Sequence, residues 1–138
     1  MALEIGKKRY NDDGEWFDFT DNNETARLKI GRAGSVEFLK AQEALERPYR
    51  KKIDRGTLGA ATKRELNLRA LARAILMDWD GVSADGAAIP YSEEMGVTAL
   101  SNNPNLLEFV MDTALDNDNF QTEREQKIAK KSKLRKAG

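Results

Sequence analysis

The sequence predicts an α+β domain: an N-terminal β-hairpin packed on a bundle of four to five helices, with a charged C-terminal extension. Three observations lead there. Thr25-Ala26-Arg27-Leu28-Lys29-Ile30 alternates between apolar and polar residues, the period of a half-buried strand. From Ser35 onward apolar residues recur three and four apart, as on an amphipathic helix. Charge is also segregated. No Lys or Arg occurs from Ala74 to Glu123, a stretch with ten carboxylates, whereas residues 124–138 hold seven basic residues and one acidic one.

Taken in order, Asn11-Asp12-Asp13-Gly14 is turn chemistry and Glu15-Trp16-Phe17-Asp18-Phe19 reads as a strand. Asp21-Asn22-Asn23-Glu24 is a second turn cluster that joins this strand to the alternating one as a hairpin. A lone hairpin is marginal in water, so its apolar face needs helices to cover it. Ser35 is placed to cap a helix carrying Phe38, Ala41, Leu45 and Tyr49 on one stripe. Pro48 should kink or end it, leaving Arg50 to Gly56 as a basic connector. Thr62 and Glu65 fit a capping box. Leu68, Leu71, Ile75 and Trp79 then fall on one helical face, with Gly81 as a left-handed stop. Asp85-Gly86 predicts a tight turn within a small hairpin-like excursion from Val82 to Ile89. Ser92, with Glu93 and Glu94, opens a short helix, and Asn103-Pro104 opens the next. The latter carries Leu106, Leu107, Phe109, Val110, Met111, Ala114 and Leu115, an apolar face wide enough for two neighbours. Thr122 and Glu125 could cap a further charged helix without a core face. The expected division is a flexible start at 1–13, a domain over 14–120 and a basic tail over 121–138.

Composition limits the chemistry. Leu, Ile, Val and Phe make up 29 of the 138 residues, so the core is small. Without Cys there is no disulfide frame or thiolate site, and without His the commonest general base and zinc ligand are missing. No P-loop, Gly-x-Ser-x-Gly or His-containing triad organises the remaining serines, lysines and carboxylates, so the expectation is a non-enzyme without a cofactor. Asp78, Asp80 and Asp85 invite a cation reading. Counted from Asp78, however, an EF-hand loop would need oxygen ligands where Val82 and Ile89 stand, and no metal is expected. No apolar run approaches the length of a bilayer span and the first residues do not read as a secretory signal; the expectation is a soluble, intracellular protein.

Trp16 and Trp79 could anchor a partner, but in so small a core packing is the simpler reading, and Trp79 shares a face with Leu71 and Ile75. Tyr91, after Pro90, is the better candidate for a half-exposed contact. The tail could touch phosphates, but it has no interleaved aromatic and no Gly-rich loop for stacking recognition.

Trp79-Asp80-Gly81-Val82, the Asp85-Gly86 turn, Ile89-Pro90-Tyr91-Ser92-Glu93-Glu94 and the Asn103-Pro104 helix ending near Phe120 resemble, in order and spacing, the tail assembly chaperone family of long non-contractile-tailed (siphovirus) phages. Gly14-Glu15-Trp16-Phe17, Ala26 to Arg32 and the helix from Phe38 to Leu45 agree with that family's front half. The resemblance covers roughly residues 14–120. It implies a non-enzymatic helper in the host cytoplasm, absent from the mature virion. Such a helper binds the tape measure protein, keeps it soluble and yields it to tail tube protein during morphogenesis. In many such phages a ribosomal frameshift makes a longer form, and Lys130-Lys131-Ser132-Lys133 is where a slip could occur. Self-association is expected, because coating a long client needs many copies. The expected contact surface runs from Asp78 to Phe120, with Trp79, Asp80, Asp85, Tyr91, Glu93, Glu94, Asp112 and Asp116, met by Lys130, Lys131 and Lys133 of the tail. The competing reading is a small nucleic-acid-associated or regulatory protein acting through its basic C-terminal tail. No membrane contact is expected.

Overall fold

The computed structural model describes residues 9–122. The expected basic tail, including Lys130, Lys131 and Lys133, lies outside the described residues, as do residues 1–8. The architecture is α+β. Strands β1 (Glu15–Asp21) and β2 (Glu24–Ile30) form the hairpin, in register from Glu15 opposite Ile30 to Asp21 opposite Glu24. Asn22 and Asn23 both have positive φ, 51° and 64°, the two-residue turn whose twist matches that of the flanking strands. Phe17, Phe19, Ala26, Leu28 and Ile30 turn toward the helices, while Asp18 and Arg27 pair on the outer face. Trp16, expected to pack, is on that outer face too and is 40% exposed, with the Arg27 guanidinium 5.3 Å from its ring centre.

Ser35 caps α1 (Val36–Glu46) by accepting the Phe38 N–H. Pro48 falls in a 3-10 turn, Arg47–Tyr49, so the chain bends without unwinding. The expected basic connector is instead partly helical, as α2 (Arg50–Asp54). Helix α3 (Ala60–Ala70) begins two residues before Thr62, with Gly59 at its cap and no side-chain cap bond, so the capping box is not what opens it.

The largest departure follows α3. Helix gives way to a π-helical turn, Leu71–Ile75, and then to strand β3 (Leu76–Asp80), which pairs antiparallel with β2. The hairpin is therefore two strands of a three-stranded sheet, order β1-β2-β3. Trp79 sits on a strand, not on the last turn of a helix. The register slips by one residue between Lys29 and Ile30, so Met77 is extra. Such a bulge lets residues three apart share a face. Leu76 and Trp79, both buried, do so at helical spacing, which is why the segment reads as helix. Gly81 has the expected left-handed backbone, φ 83°, but it ends a strand.

Beyond it, β4 (Ser83–Ala84) and β5 (Ala87–Ala88) make the expected excursion, with Asp85 and Gly86 both at positive φ. Helix α4 (Glu93–Asn102) is capped by Ser92, which accepts the Met95 N–H. Helix α5 (Pro104–Leu115) is capped by Asn103, which accepts from Asn105 and Leu106. Leu28, Ile30, Ile75, Leu76, Leu100, Val110 and Phe120 are fully buried where sheet, α3, α4 and α5 meet. Phe120 stands edge-on to Phe17 with ring centres 5.9 Å apart. Among the described residues no helix is long and apolar enough to cross a membrane.

Residues on either side of the expected 14–120 span also make contacts with one another. Tyr10 pairs with Gln121, the Asn11 N–H donates to the Phe120 carbonyl at 2.6 Å, and Arg32 holds Asp12 at 2.8 Å while stacking on Tyr10. These contacts tie the two flanks together.

The joint between β2 and the π turn is close. Gly31 donates its N–H to Ile75 at 2.7 Å, and a Cβ there would lie 2.9 Å from the Ala74 carbonyl and 2.7 Å from the Met77 methyl. Gly31→Ala should therefore destabilise the protein by about 1–3 kcal/mol, read as a lower urea midpoint. An unchanged midpoint would show that this joint is not tight.

A candidate helix-binding groove

Helix α5 has more apolar residues than one neighbour can cover. At 3.6 residues per turn its side chains fall into rows four apart. Leu106, Val110 and Ala114 are buried toward the sheet. The next row, Leu107, Met111 and Leu115, faces away from it. Leu107 is half-buried, Met111 is 43% exposed and Leu115 is 65% exposed. A third row, Glu108, Asp112 and Asp116, lies beyond that one and is exposed.

The middle row borders two adjoining hollows. One, of about 550 Å³, lies between α5 and the surface of α1 and α3, with Phe38, Leu68 and Leu71 among its walls and Lys63 and Arg64 on its α3 side. The other, of about 420 Å³, lies between α5 from Pro104 to Leu115, Arg64 of α3 and the end of α4 at Leu100 and Ser101, and includes Glu108 and Asp112. Arg64, Leu107 and Met111 belong to both. Together they form one shallow trough with an apolar floor, and its walls carry Lys63 and Arg64 of α3 and Glu108 and Asp112 of α5. Among the described residues none of Lys63, Arg64, Glu108 and Asp112 takes part in an ion pair. An exposed row at i, i+4 and i+8 beside such a floor is the geometry that receives an amphipathic helix, and methionine adapts readily to irregular partners.

The residues singled out in sequence divide differently. Asp112 borders the trough. Asp116 is exposed at the end of α5, where its carboxylate accepts the Asp118 N–H. Asp80 is exposed at the end of β3 opposite Arg27, and Asp85 is exposed in the β4–β5 turn. Asp78, Asp80 and Asp85 do not converge with other ligands: among the described residues no group of three or more carboxylates could hold a metal ion.

Trp79, Tyr91, Glu93 and Glu94 do come together, but around the molecule's own framework. Trp79 is buried and its indole N–H donates to the Ile89 carbonyl at 2.8 Å. Tyr91 meets it edge-on, ring centres 4.8 Å apart, and its hydroxyl lies against the carbonyls of Ala72 and Leu76, where helix becomes strand. Helix ends leave carbonyls without amide partners, and one O–H can serve one of these two at a time. Burial, reinforced by the charges of Glu93 and Asp78, pushes the Tyr91 phenol above its ordinary range. Tyr91, expected as a half-exposed contact, thus points inward. Close by, Glu93 pairs with Arg73 at 2.5 Å and with Arg69 at 3.4 Å, and Glu94 with Arg69 at 2.8 Å. The Arg73 hydrogen bond is the main reason that the Glu93 carboxyl is held below the usual carboxylate range, against some opposing desolvation. These carboxylates clamp α4 to α3 and to the π turn that follows it, and are already partnered.

Sequence reading did not single out the floor and banks of the trough as a site: Phe38, Lys63, Arg64, Leu71, Leu107, Glu108, Met111 and Leu115. The available signal was the excess width of the α5 apolar face. It was read there as burial against two neighbours, and Met111 and Leu115 do not find the second one.

Two substitutions test the clamp. Tyr91→Phe should remove about 1–2 kcal/mol of stability at pH 7. Because the folded phenol titrates higher than the unfolded one, the wild-type advantage should be complete below about pH 10 and shrink as pH rises beyond it. Glu93→Gln should cost up to about 1 kcal/mol at pH 7. Its folded carboxyl is depressed, so that contribution should be present above about pH 4 and lost as pH falls through the folded value. Urea unfolding across pH measures both, and curves for Glu93→Gln and wild type that fail to converge in acid would contradict the ion-pair account.

A family model described as YdaY prophage protein matches residues 33–131, a stretch that includes α1 to α5 and therefore both banks of the trough. No curated protein and no solved structure matches the chain.

Proposed function

The chain belongs to the YdaY prophage protein family and is phage-derived, and from that premise we propose that it is a tail assembly chaperone. In this reading it binds the tape measure protein, keeps it soluble and hands it to tail tube subunits. It makes or breaks no bond, works in the host cytoplasm and is absent from the finished particle. The single observation that carries the reading is the exposed apolar row Leu107, Met111 and Leu115 beside a trough with no occupant from the described residues. The resemblance of Trp79 to Val82, Ile89 to Glu94 and the Asn103-Pro104 helix to the tail assembly chaperones supports it from the sequence side.

A tape measure protein is a long helical chain whose apolar faces stay bare until a tube closes around it. A helper for such a client needs an apolar surface that is open and shallow, so that each contact is weak and many copies share the load. A wide, half-exposed trough meets that need, while a deep pocket would hold one ligand too tightly to release. Charged banks keep the apolar strip soluble between encounters. Self-association along the client, and any frameshifted longer form, are extensions of the same proposal.

Co-expression gives the test. A tape measure protein that is insoluble alone should become soluble beside this chain. Met111→Asp with Leu115→Asp should abolish that rescue while leaving the thermal melt within a few degrees, since Leu115 is mostly in water and Met111 nearly half so. A client that stays insoluble beside the wild-type chain, or a double variant that rescues as well as wild type, would overturn the proposal.

A further inference from the structure

The helix-to-strand junction has two ways to satisfy one carbonyl. In a continuing α-helix the Leu76 N–H would donate to Ala72, four residues back. Here it donates to Leu71, five residues back, which closes the π turn. The Tyr91 hydroxyl lies against the Ala72 carbonyl in its place. Single π turns are rare and gather at functional sites.

The residues around the turn favour the helix that they interrupt. Leu71, Ala72, Arg73, Ala74, Leu76 and Met77 are all strong helix formers, and β3 contains no β-branched residue. Leu68, Leu71, Ile75 and Trp79 would share one face of a helix continued past Ala70. Gly81, at φ 83°, already has the left-handed backbone that closes a helix. What holds β3 extended comes from elsewhere in the chain. Its ladder with β2 runs from Asp80 opposite Arg27 to Leu76 opposite Ile30, and the Trp79 indole bonds to Ile89.

We infer that Leu71 to Asp80 is a conformational switch between strand and helix, latched by Tyr91. In its second state α3 continues as a regular helix through Trp79, the Leu76 N–H takes the Ala72 carbonyl from Tyr91, and β3 leaves β2. The lost ladder and the exposure of Leu76 make this the less populated state. Switching uncovers the edge of β2 that now faces Asp78 and Asp80, and a bare edge is a template for a strand from another chain. Neither state depends on what the trough binds.

Carbon saturation-transfer NMR on the full-length protein reads the Cα shifts of the minor state at Leu76 and Met77. Tyr91→Phe keeps the ring but removes the hydroxyl that competes for Ala72, so it should raise the minor population about tenfold over wild type. Both minor-state shifts should lie on the helical side of random coil. Phe17 and Leu28, paired within the hairpin, should show no such state. Met77→Pro should abolish it, because proline disfavours a helix interior on the order of a hundredfold. The strand accepts the change better: Leu76 is already extended, φ −80° and ψ 102°, as the residue before a proline prefers, and bulges tolerate proline. If the proline variant does not fold, the wild-type and Tyr91→Phe spectra decide alone. No minor state in Tyr91→Phe, minor-state shifts at random-coil values, or a helical minor state that persists in folded Met77→Pro would overturn the inference.

Discussion

The architecture depends on one junction, the point after Ile75 where a helix turns into a strand. Two side chains hold it. Tyr91 offers its hydroxyl to the carbonyls of Ala72 and Leu76, and Trp79, on the strand that follows, donates to Ile89. The room for this is made by Gly96: a Cβ there would stand 2.7 Å from the Tyr91 hydroxyl and 3.1 Å from the Ala72 methyl. Alanine would ordinarily suit a helix better than glycine by about 1 kcal/mol, so its absence at a buried position of α4 reflects the ring lying against it. Because α3 and β3 are joined through this turn, the docking of β3 on β2 decides where the outer face of α3 stands relative to α5.

The trough follows from that placement. Helix α5 is anchored on the sheet by Leu106, Val110 and Ala114, with Phe19 against Phe109 at 5.1 Å. Its capping Asn103, together with Asn105, donates to Asp21 at the end of β1, which fixes the near end of the helix to the hairpin. With α5 set by the sheet and α3 set by β3, the two helices are positioned through a common frame, and the space between their outer faces remains partly unfilled. Exposed apolar area is costly for solubility unless a partner covers it. Lys63, Arg64, Glu108 and Asp112 surround it, while Arg69 and Arg73 are engaged elsewhere by Glu93 and Glu94.

Much of the fold was legible in the residues. The hairpin, its Asn22-Asn23 turn, the Ser35, Ser92 and Asn103 caps and the Asp85-Gly86 turn are local chemistry, and local chemistry is what a sequence records most directly. The strand β3 was not legible. Its bulge at Met77 brings Leu76 and Trp79 onto one face three residues apart, and a period of three to four is the mark of a helix. Pairing with β2, nearly fifty residues earlier, outweighs that local signal. The acidic surface was legible only as a charge count. Which carboxylates face a partner and which are already bound depended on Arg69 and Arg73, whose proximity to Glu93 and Glu94 is tertiary. Met111 and Leu115 were visible as apolar, but whether a face is covered is decided by where the neighbouring helix ends.

The central claim is that apolar helices of a client lie on the α3–α5 trough. Methyl spectra of the protein labelled at methionine test it most directly, since Met111 stands in the trough while Met77 packs against Gly14 and Gly31 and Met95 against the core. On titration with a helical segment of the tape measure protein, the Met111 methyl should shift and broaden while those of Met77 and Met95 hold their positions. A Met111 resonance unmoved at saturating client, with shifts confined to Met77 or Met95, would contradict the account.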